Sequence, residues 1–465
     1  MNLQKVRDLD ELAELADSYS AVLTPYPSIA DSLDKRSSAE ITTPRRVISD
    51  TGDDYLRKLF LELSSDIGDW KKASHLVNNG IDCWRKTGSL EMMKENGFNA
   101  EEVEKLEKVF DKVENPVSKL ADLSIKGDVA VIHPEQFNRL EMSTLPEDID
   151  VIDVETDTIW ELPELSSFSS AGTLVRSLIE NIEELDPEKI GIVVNPESKY
   201  QSLIESIFEA EDIPFQRRRK STESDEVRTF IGLLRAALSG QRARIRDLRP
   251  IMNQLGVRAS YNDENKYISS LGRKNRDFKE FFNVLPHLTF EESLEELKEF
   301  GFSVDMPREI LEIGEMLDAD IDEINLERFE HVARRFSPEK RSESGVLLAD
   351  SLQTPRIDRE IVFFIGLDDS WNPEIDDKPW IDEQKEREAH LKRVNSLLQS
   401  GSRQAFLIQK KEMEQPIRPC HALTELLEGN PSSFEEIPNR DVRPERFKKG
   451  EGFDKIEVDA KRSKV

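Results

Sequence analysis

The stretch IGIVVNPESKYQSLIESIFEAEDIPF, residues 190–215, decides the fold because it predicts a complete strand–helix–strand unit. Residues 190–194 form an apolar run, as in a strand that is covered on both faces. Residues 198–210 have the apolar spacing of a helix, and a second short strand is predicted at 214–215. Two strands joined through a helix run parallel, so the unit predicts an α/β protein with a parallel sheet.

The same pattern continues on both sides of this unit. Towards the amino terminus, apolar runs predict strands at 20–24, 128–132 and 150–154, and a helix-rich segment lies between the first two. Towards the carboxyl terminus, the chain predicts strands at 346–348, 361–365 and 405–408, with a charged helix at 382–399. Between the two groups, residues 224–337 show helical spacing alone, which predicts an all-helical insertion.

We therefore predict two parallel-sheet α/β domains, the second of which is interrupted by an all-helical insertion. A chain of 465 residues is long enough for two or three cores of ordinary size. The predicted segments are 1–165 for the first domain, 166–220 with 340–428 for the second domain, 221–339 for the insertion, and 429–465 for a polar tail or a truncated linker.

Composition limits the environment and the cofactors. The chain carries 94 acidic and 65 basic side chains, which gives a net charge of −29. Such an acidic composition is typical of proteins from halophilic organisms, which stay soluble in a salt-rich cytoplasm. In strong salt, local charge decides nucleic-acid binding. No long apolar segment or leader is apparent, so we expect a cytoplasmic protein with no membrane partner. With two cysteines, Cys83 and Cys420, no metal or other cofactor is expected.

Four strings, in order and with the insertion in the right place, resemble the second motor domain of UvrD-like superfamily 1 helicases. After IGIVV…IPF come STESDEVRTFIGLLRAAL (221–238), LLADSLQTPRIDREIVFFIGLDDSWNPE (347–374) and EQKEREAHLKRVNSLLQSGSRQAFLI (383–408). LPEDIDVIDVETD (145–157) and GLDDSWNP (366–373) are closest in texture to the AddB-like helicase/nuclease subunits of archaea. The resemblance implies two RecA-like domains. It also implies a PD-(D/E)XK nuclease domain that would begin about where this chain stops.

The departures from the helicase pattern concern the nucleotide site. No GxxxxGK[ST] occurs, and the first predicted strand is followed by TPYPSIADSLDKR (24–36), in which Pro25 and Pro27 remove amide donors from the loop that should hold phosphate. Val154 replaces the general base after Asp153, and Asn195 replaces the phosphate-sensing arginine. We therefore predict a degenerate nucleotide site at Thr24, Asp153 and Asn195, without catalytic residues.

A basic segment is the candidate DNA-binding site. Residues 217–249 carry a local charge of +6, and arginine side chains bind phosphates well. A surface of intramolecular salt bridges is the alternative interpretation. Trp371 and Trp380 are candidates for stacking on unpaired bases, and core burial is equally compatible with Trp371. The candidate DNA-binding residues are Arg217, Arg218, Arg219, Lys220, Arg228, Arg242, Arg244, Arg246 and Trp371.

The sequence thus predicts a non-hydrolysing, helicase-like scaffold subunit in DNA double-strand-break processing and recombinational repair. Its expected partners are DNA, a PD-(D/E)XK nuclease or a helicase subunit. One alternative is an active ATP-dependent helicase with an unrecognised nucleotide site, which nucleotide binding would distinguish. Another is a structural interaction protein without DNA binding, which salt-dependent DNA binding would distinguish.

Overall fold

The computed structural model describes most of the chain. The described residues are 3–6, 9–113, 127–143, 145, 148–154, 160–182, 185–216, 218–220, 225–254, 257, 263–271, 275–299, 308–317, 319–336, 339–341, 344–427, 430–442, 459–460 and 462–463.

The amino-terminal part of the chain forms a five-stranded sheet in which all neighbouring strands are parallel. Its faces are covered by separate apolar clusters, one of them built with the first two helices of the chain. The strands, in spatial order, are β1 (Leu3–Val6), β5 (Asp150–Val154), β4 (Val129–Ile132), β2 (Ala21–Leu23) and β3 (Glu40–Thr42).

The rest of the chain forms a larger sheet with seven parallel strands along its main path. A further short strand, β18 (Asp459–Ala460), pairs antiparallel with the strand at Arg403–Gln409. The parallel strands, in spatial order, are β17 (Asn439–Asp441), β7 (Leu165–Phe168), β14 (Arg403–Gln409), β13 (Ile361–Ile365), β8 (Ile190–Val194), β12 (Val346–Asp350) and β9 (Phe215–Gln216). The prediction of an α/β protein with two parallel sheets is confirmed.

Four two-residue strands and two longer ones form small ladders outside the main sheets. These ladders are antiparallel, and one of them closes the stem of the helical insertion. They pair β6 (Trp160–Glu161) with β19 (Arg462–Ser463), β10 (Arg218–Lys220) with β11 (Glu339–Arg341), and β15 (Lys411–Glu412) with β16 (Gln415–Pro416).

The helices are named here in chain order. They are α1 (Leu9–Ala16), α2 (Pro27–Asp34), α3 (Pro44–Ile67), α4 (Trp70–Thr87), α5 (Glu91–Glu95), α6 (Ala100–Lys112), α7 (Arg139–Ser143), α8 (Ala171–Ile182), α9 (Lys199–Ala210), α10 (Asp225–Leu238), α11 (Ile245–Gln254), α12 (Arg276–Val284), α13 (Phe290–Glu299), α14 (Arg308–Leu317), α15 (Glu323–Phe336), α16 (Glu383–Leu398) and α17 (His421–Leu426).

The apolar runs of the central strands form cores on both faces of the larger sheet. Successive side chains of a strand point to opposite faces, so Ile192 and Phe363 join one cluster while Val193 and Phe364 join the other. Helices α8 and α9 cover the first face, and α16 with α17 covers the second. Burial on both faces explains why β8 and β13 have no polar alternation.

Each sheet carries a helical insertion, and the two insertions share one hydrophobic core. Helices α3 to α6 lie between β3 and β4 of the first sheet, and α10 to α15 form the predicted insertion of the second sheet. Buried side chains of both groups belong to the same cluster. Polar contacts join the groups as well: Arg328 donates to the carbonyl oxygen of Leu61 at 3.2 Å, and Ser74 Oγ lies 2.8 Å from His331 Nε2. The sequence analysis did not identify α3 to α6 as an insertion.

The prediction of a polar tail from residue 429 is wrong for residues 433–442. Phe434, Ile437 and Val442 are buried, and β17 extends the larger sheet by pairing with β7. Near the end of the chain, β18 pairs with β14 and β19 pairs with β6. Backbone pairing holds these segments, and β17, of sequence Asn-Arg-Asp, has no apolar side chain that would indicate a strand.

Candidate functional site

The loop after β2, where a phosphate-binding loop was sought, has its backbone donors already engaged. Thr24 is fully buried, and its N–H donates to the carbonyl oxygen of Thr42 at 3.1 Å. The N–H of Tyr26 donates to Thr24 Oγ1 at 3.3 Å. Pro25 and Pro27 have no N–H, and α2 begins at Pro27. These four described residues therefore offer no free amide to an anion, and a phosphate cradle is built from free amides.

Asp153, the candidate nucleotide-site residue of the first sheet, is paired with a lysine from a helix that covers the larger sheet. Its Oδ1 lies 3.3 Å from Lys392 Nζ of α16. The following residue, Val154, is buried and cannot act as a base. The sequence analysis missed Lys392, because nothing in the chain near residue 392 indicates a partner so far away in sequence. Glu155 and Asp157, which alternate with Asp153 in sequence, lie outside the described residues.

Asn195, which follows β8, is a buried structural residue. Its Oδ1 accepts the N–H of Glu197 at 2.8 Å, and its Nδ2 donates to the carbonyl oxygen of Ser370. Both polar atoms of the amide are engaged, so Asn195 ties the loop after β8 to the loop after β13. Thr24, Asp153 and Asn195 are thus each held by bonds within the protein.

A groove lies beside Asn195 at the carboxyl edge of the larger sheet. It has a volume of about 740 Å³ and includes Lys199, Arg418, Asp368, Asp369 and Glu412. Lys199 Nζ lies 2.5 Å from Glu412 Oε1. With three carboxylates against two cations, the groove does not favour a polyanion.

The basic segment begins at the stem of the second insertion. Arg217 lies outside the described residues. Arg218, Arg219 and Lys220 form β10, which pairs with β11 in the register Arg218 to Arg341. The first described cations of the segment therefore lie on one strand of the stem, β10, where the chain leads into the insertion.

The arginines that follow the stem fall into two groups. Three are ion-paired: Arg235 with the buried Glu330 at 2.5 Å, Arg246 with Asp247 at 3.3 Å, and Arg249 with Glu264 at 2.9 Å. Among the described residues, three others have no ion-pair partner: Arg228, Arg242 and Arg244. The salt-bridge interpretation thus describes the first group, and the second remains available to bind phosphate.

The prediction that Trp371 stacks on bases is not supported by its position. It is 1% exposed, and its indole N–H donates to the carbonyl oxygen of Ile365 at 3.1 Å. Trp380 is buried as well, and its indole N–H donates to Asp82 of α4 at 2.9 Å. Both indole rings therefore pack in the protein interior, where burial of their large apolar surface is favourable.

Buried titratable groups near these loops have shifted pKa values. Burial and the Arg393 cation lower the pKa of His390 to about 4, and Arg393 Nη2 lies 2.6 Å from its Nδ1. Burial raises the pKa of the Cys420 thiol to about 12. Burial therefore favours the protonated form of this thiol.

Metal-binding clusters and membrane-spanning helices are both absent from the described residues. Among them, no group of three His, Cys, Asp or Glu side chains is placed to hold a metal ion. None of the described helices combines the length and apolarity that crossing a bilayer requires. No protein-family model matches the chain, and a search of curated proteins gave no match.

Proposed function

We propose that this chain is a non-hydrolysing, helicase-like scaffold subunit that binds DNA in double-strand-break processing and recombinational repair. The proposal combines the resemblance to UvrD-like and AddB-like proteins, with their RecA-like domains, and the state of the candidate nucleotide site. The observation that carries it is the engaged backbone of residues 24–27, which lacks free N–H groups where ATP phosphates would need them.

The ion pair between Asp153 and Lys392 supports the same proposal. A carboxylate that holds a magnesium ion must present its oxygens to the ion, and here Lys392 occupies Oδ1 from the second domain. A bidentate pair of Arg36 with Asp358 also joins the two domains. Arg36 Nη1 lies 2.5 Å from Asp358 Oδ2, and Arg36 Nη2 lies 2.8 Å from Asp358 Oδ1.

The shared core of the two insertions is the second support. A motor that couples hydrolysis to movement needs two domains that shift relative to each other. Here α3 and α4 of the first insertion pack with α15 of the second, and Phe60 lies 5.5 Å from the ring of His331. An apolar core across both insertions opposes such movement, which suits a scaffold better than a motor.

DNA binding is proposed for the basic segment. In the described part of that segment, Arg228, Arg242 and Arg244 have no ion-pair partner, although the chain has a net charge of −29 and acidic side chains are abundant. Arginines without such partners can bind an external anion such as the phosphates of DNA. Phosphate contacts carry no sequence information, so we expect binding that is independent of sequence and sensitive to salt.

The expected test replaces Arg217, Arg218 and Arg219 with Ala and measures affinity for duplex and single-stranded DNA across a salt series. Binding should weaken similarly for unrelated sequences, and the slope of log affinity against log salt should become shallower. The matched control is Arg176→Ala, which removes one exposed arginine from α8. Unchanged affinity and slope in the triple variant would return these arginines to the salt-bridge interpretation.

A nuclease or helicase subunit remains the proposed protein partner. Exposed apolar side chains follow β14 at Met413, which is 92% exposed, and Leu426, which is 38% exposed. Truncation after β14 would remove buried residues such as Phe434, so substitutions are the better test. Met413→Ser with Leu426→Ser should reduce co-purification of a nuclease or helicase from native cells. Equal recovery of that enzyme by the wild-type and substituted chains would rule out Met413 and Leu426 as partner contacts.

A further inference from the structure

An exposed tyrosine faces an arginine across an isolated antiparallel β-bridge of the second insertion, and a second arginine, Arg242, ends the short 3-10 helix that precedes the bridge. The N–H of Ile245 donates to the carbonyl oxygen of Lys266 at 3.0 Å, and the N–H of Ile268 donates to that of Ala243 at 3.1 Å. In this antiparallel pairing Arg244 stands directly opposite Tyr267. Side chains of directly opposed residues are close neighbours on one face of a ladder.

The alternation of burial sets the direction of these side chains. Ala243, Ile245 and Ile268 are buried in the shared core of the insertions. Their neighbours Arg244 and Tyr267 therefore face outward. Tyr267 is 49% exposed, and no other aromatic side chain in the described part of the chain is exposed to a comparable degree.

Two arginine side chains near Tyr267 are available to bind an anion. Three acidic side chains lie nearby, and each is engaged by another cation: Asp247 by Arg246, Asp263 by Lys266 at 2.6 Å, and Glu264 by Arg249. Arg242, which is exposed, and Arg244 have no ion-pair partner among the described residues. Tyr267 thus lies opposite one of these cations, Arg244, in a protein whose net charge is −29.

We propose that this surface, Arg242, Arg244 and Tyr267, binds single-stranded DNA, with Tyr267 stacked on an unpaired base and the two arginines on the flanking phosphates. The inference rests on the proposed DNA-binding function and specifies which form of DNA the insertion recognises. An aromatic face stacks on a base only when the base is out of the duplex, whereas arginine–phosphate contacts serve either form. The aromatic platform that the sequence suggested at Trp371 is thereby assigned to Tyr267.

The experiment measures fluorescence anisotropy of the full chain with a labelled oligothymidylate and with a labelled blunt duplex. Tyr267→Ala should weaken binding of the single strand about tenfold and leave duplex binding unchanged. Tyr267→Phe should keep wild-type affinity, because the ring stacks without its hydroxyl. Arg242→Ala with Arg244→Ala should weaken binding of both forms and reduce the salt slope. Ile324→Ala, which truncates another exposed apolar side chain of the same insertion, is the matched control.

The outcomes separate this inference from the proposed function. Wild-type affinity of Tyr267→Ala for the single strand would overturn it, as would an equal loss in the Ile324→Ala control. A wild-type chain that binds duplex but not single-stranded DNA would overturn the inference and leave the proposed function standing. A wild-type chain that binds neither form would overturn both.

Discussion

Asp153 Oδ1 and Lys392 Nζ lie 3.3 Å apart and join β5 of the first sheet to α16 of the second domain. The two residues are 239 positions apart in sequence, so the pair is purely a product of the tertiary fold. It engages one carboxylate oxygen of a residue assigned to the candidate nucleotide site. Asp153, one residue of that candidate site, is thus part of a contact between the two sheet-bearing parts of the chain.

Lys392→Met should have a small, salt-dependent effect on stability. The two side chains are 41% and 29% exposed, and partly exposed pairs contribute less than about 1 kcal/mol. We expect the free energy of unfolding to fall by less than that amount at low salt and not at all at 1 M salt. Urea denaturation measures it, with the exposed Lys298→Met as control. A loss of several kcal/mol in high salt would contradict the assignment.

Phe60→Ala should loosen both helical insertions. Phe60 of α3 is fully buried against His331 of α15, so truncation leaves a cavity in the shared core, at a cost of about 3–5 kcal/mol. Hydrogen exchange should accelerate in α3 and α4 and also in α15. Ile324→Ala on α15, at an exposed position, should change stability by no more than about 0.5 kcal/mol. Faster exchange confined to α3 and α4 would show that the insertions do not share a core.

Gly345→Ala should be far more destabilising than Gly240→Ala. Both glycines have positive φ, 100° and 59°, but a Cβ at Gly345 would lie 2.4 Å from the carbonyl group of Pro214. Gly240 has nothing within 4 Å of that position. Backbone strain alone costs about 1 kcal/mol at Gly240, and the added clash should raise the cost at Gly345 to about 3 kcal/mol or more. Equal denaturation midpoints for the two variants would contradict the tight packing before β12.

Stability should fall in acid partly because of His390. Its folded pKa, about 4, lies below its ordinary value of 6.5, so between these values the unfolded chain binds a proton that the folded chain does not. The free energy of unfolding therefore decreases as pH falls from 6.5 to 4, by up to about 3 kcal/mol from this residue. His390→Gln should show a smaller loss than wild type between pH 7 and pH 4.5. Identical losses in urea denaturation would contradict the assignment.

The sequence predicted the elements that are defined by apolar side chains. It failed for elements that are held mainly by backbone hydrogen bonds. The run Ile361–Ile365 was recognisable because a parallel strand buried on both faces must be apolar throughout. The edge strand β17 was read as tail because its polar residues pair through the backbone alone. Helices α3 to α6 were predicted as helical but not as an insertion, since helical spacing does not reveal which core a helix joins.

The candidate site was only partly predictable for similar reasons. The prolines at 25 and 27 indicated the loss of amide donors, and the structure adds that Thr24 and Tyr26 use theirs. The prediction of Trp371 as a stacking residue failed because an aromatic side chain can either pack in a core or stack on a base. The sequence does not show whether the ring is buried. Tyr267 gave no signal of its own, because its place opposite Arg244, 23 positions earlier, is set by the tertiary fold.

DNA-stimulated ATP hydrolysis by the purified full chain tests the central claim most directly. The engaged backbone of residues 24–27 and the Asp153–Lys392 pair predict turnover indistinguishable from a no-enzyme control, with or without single-stranded or duplex DNA. Turnover well above that control, stimulated by DNA and abolished by Asp153→Asn, would contradict the account and identify a working ATP-dependent motor.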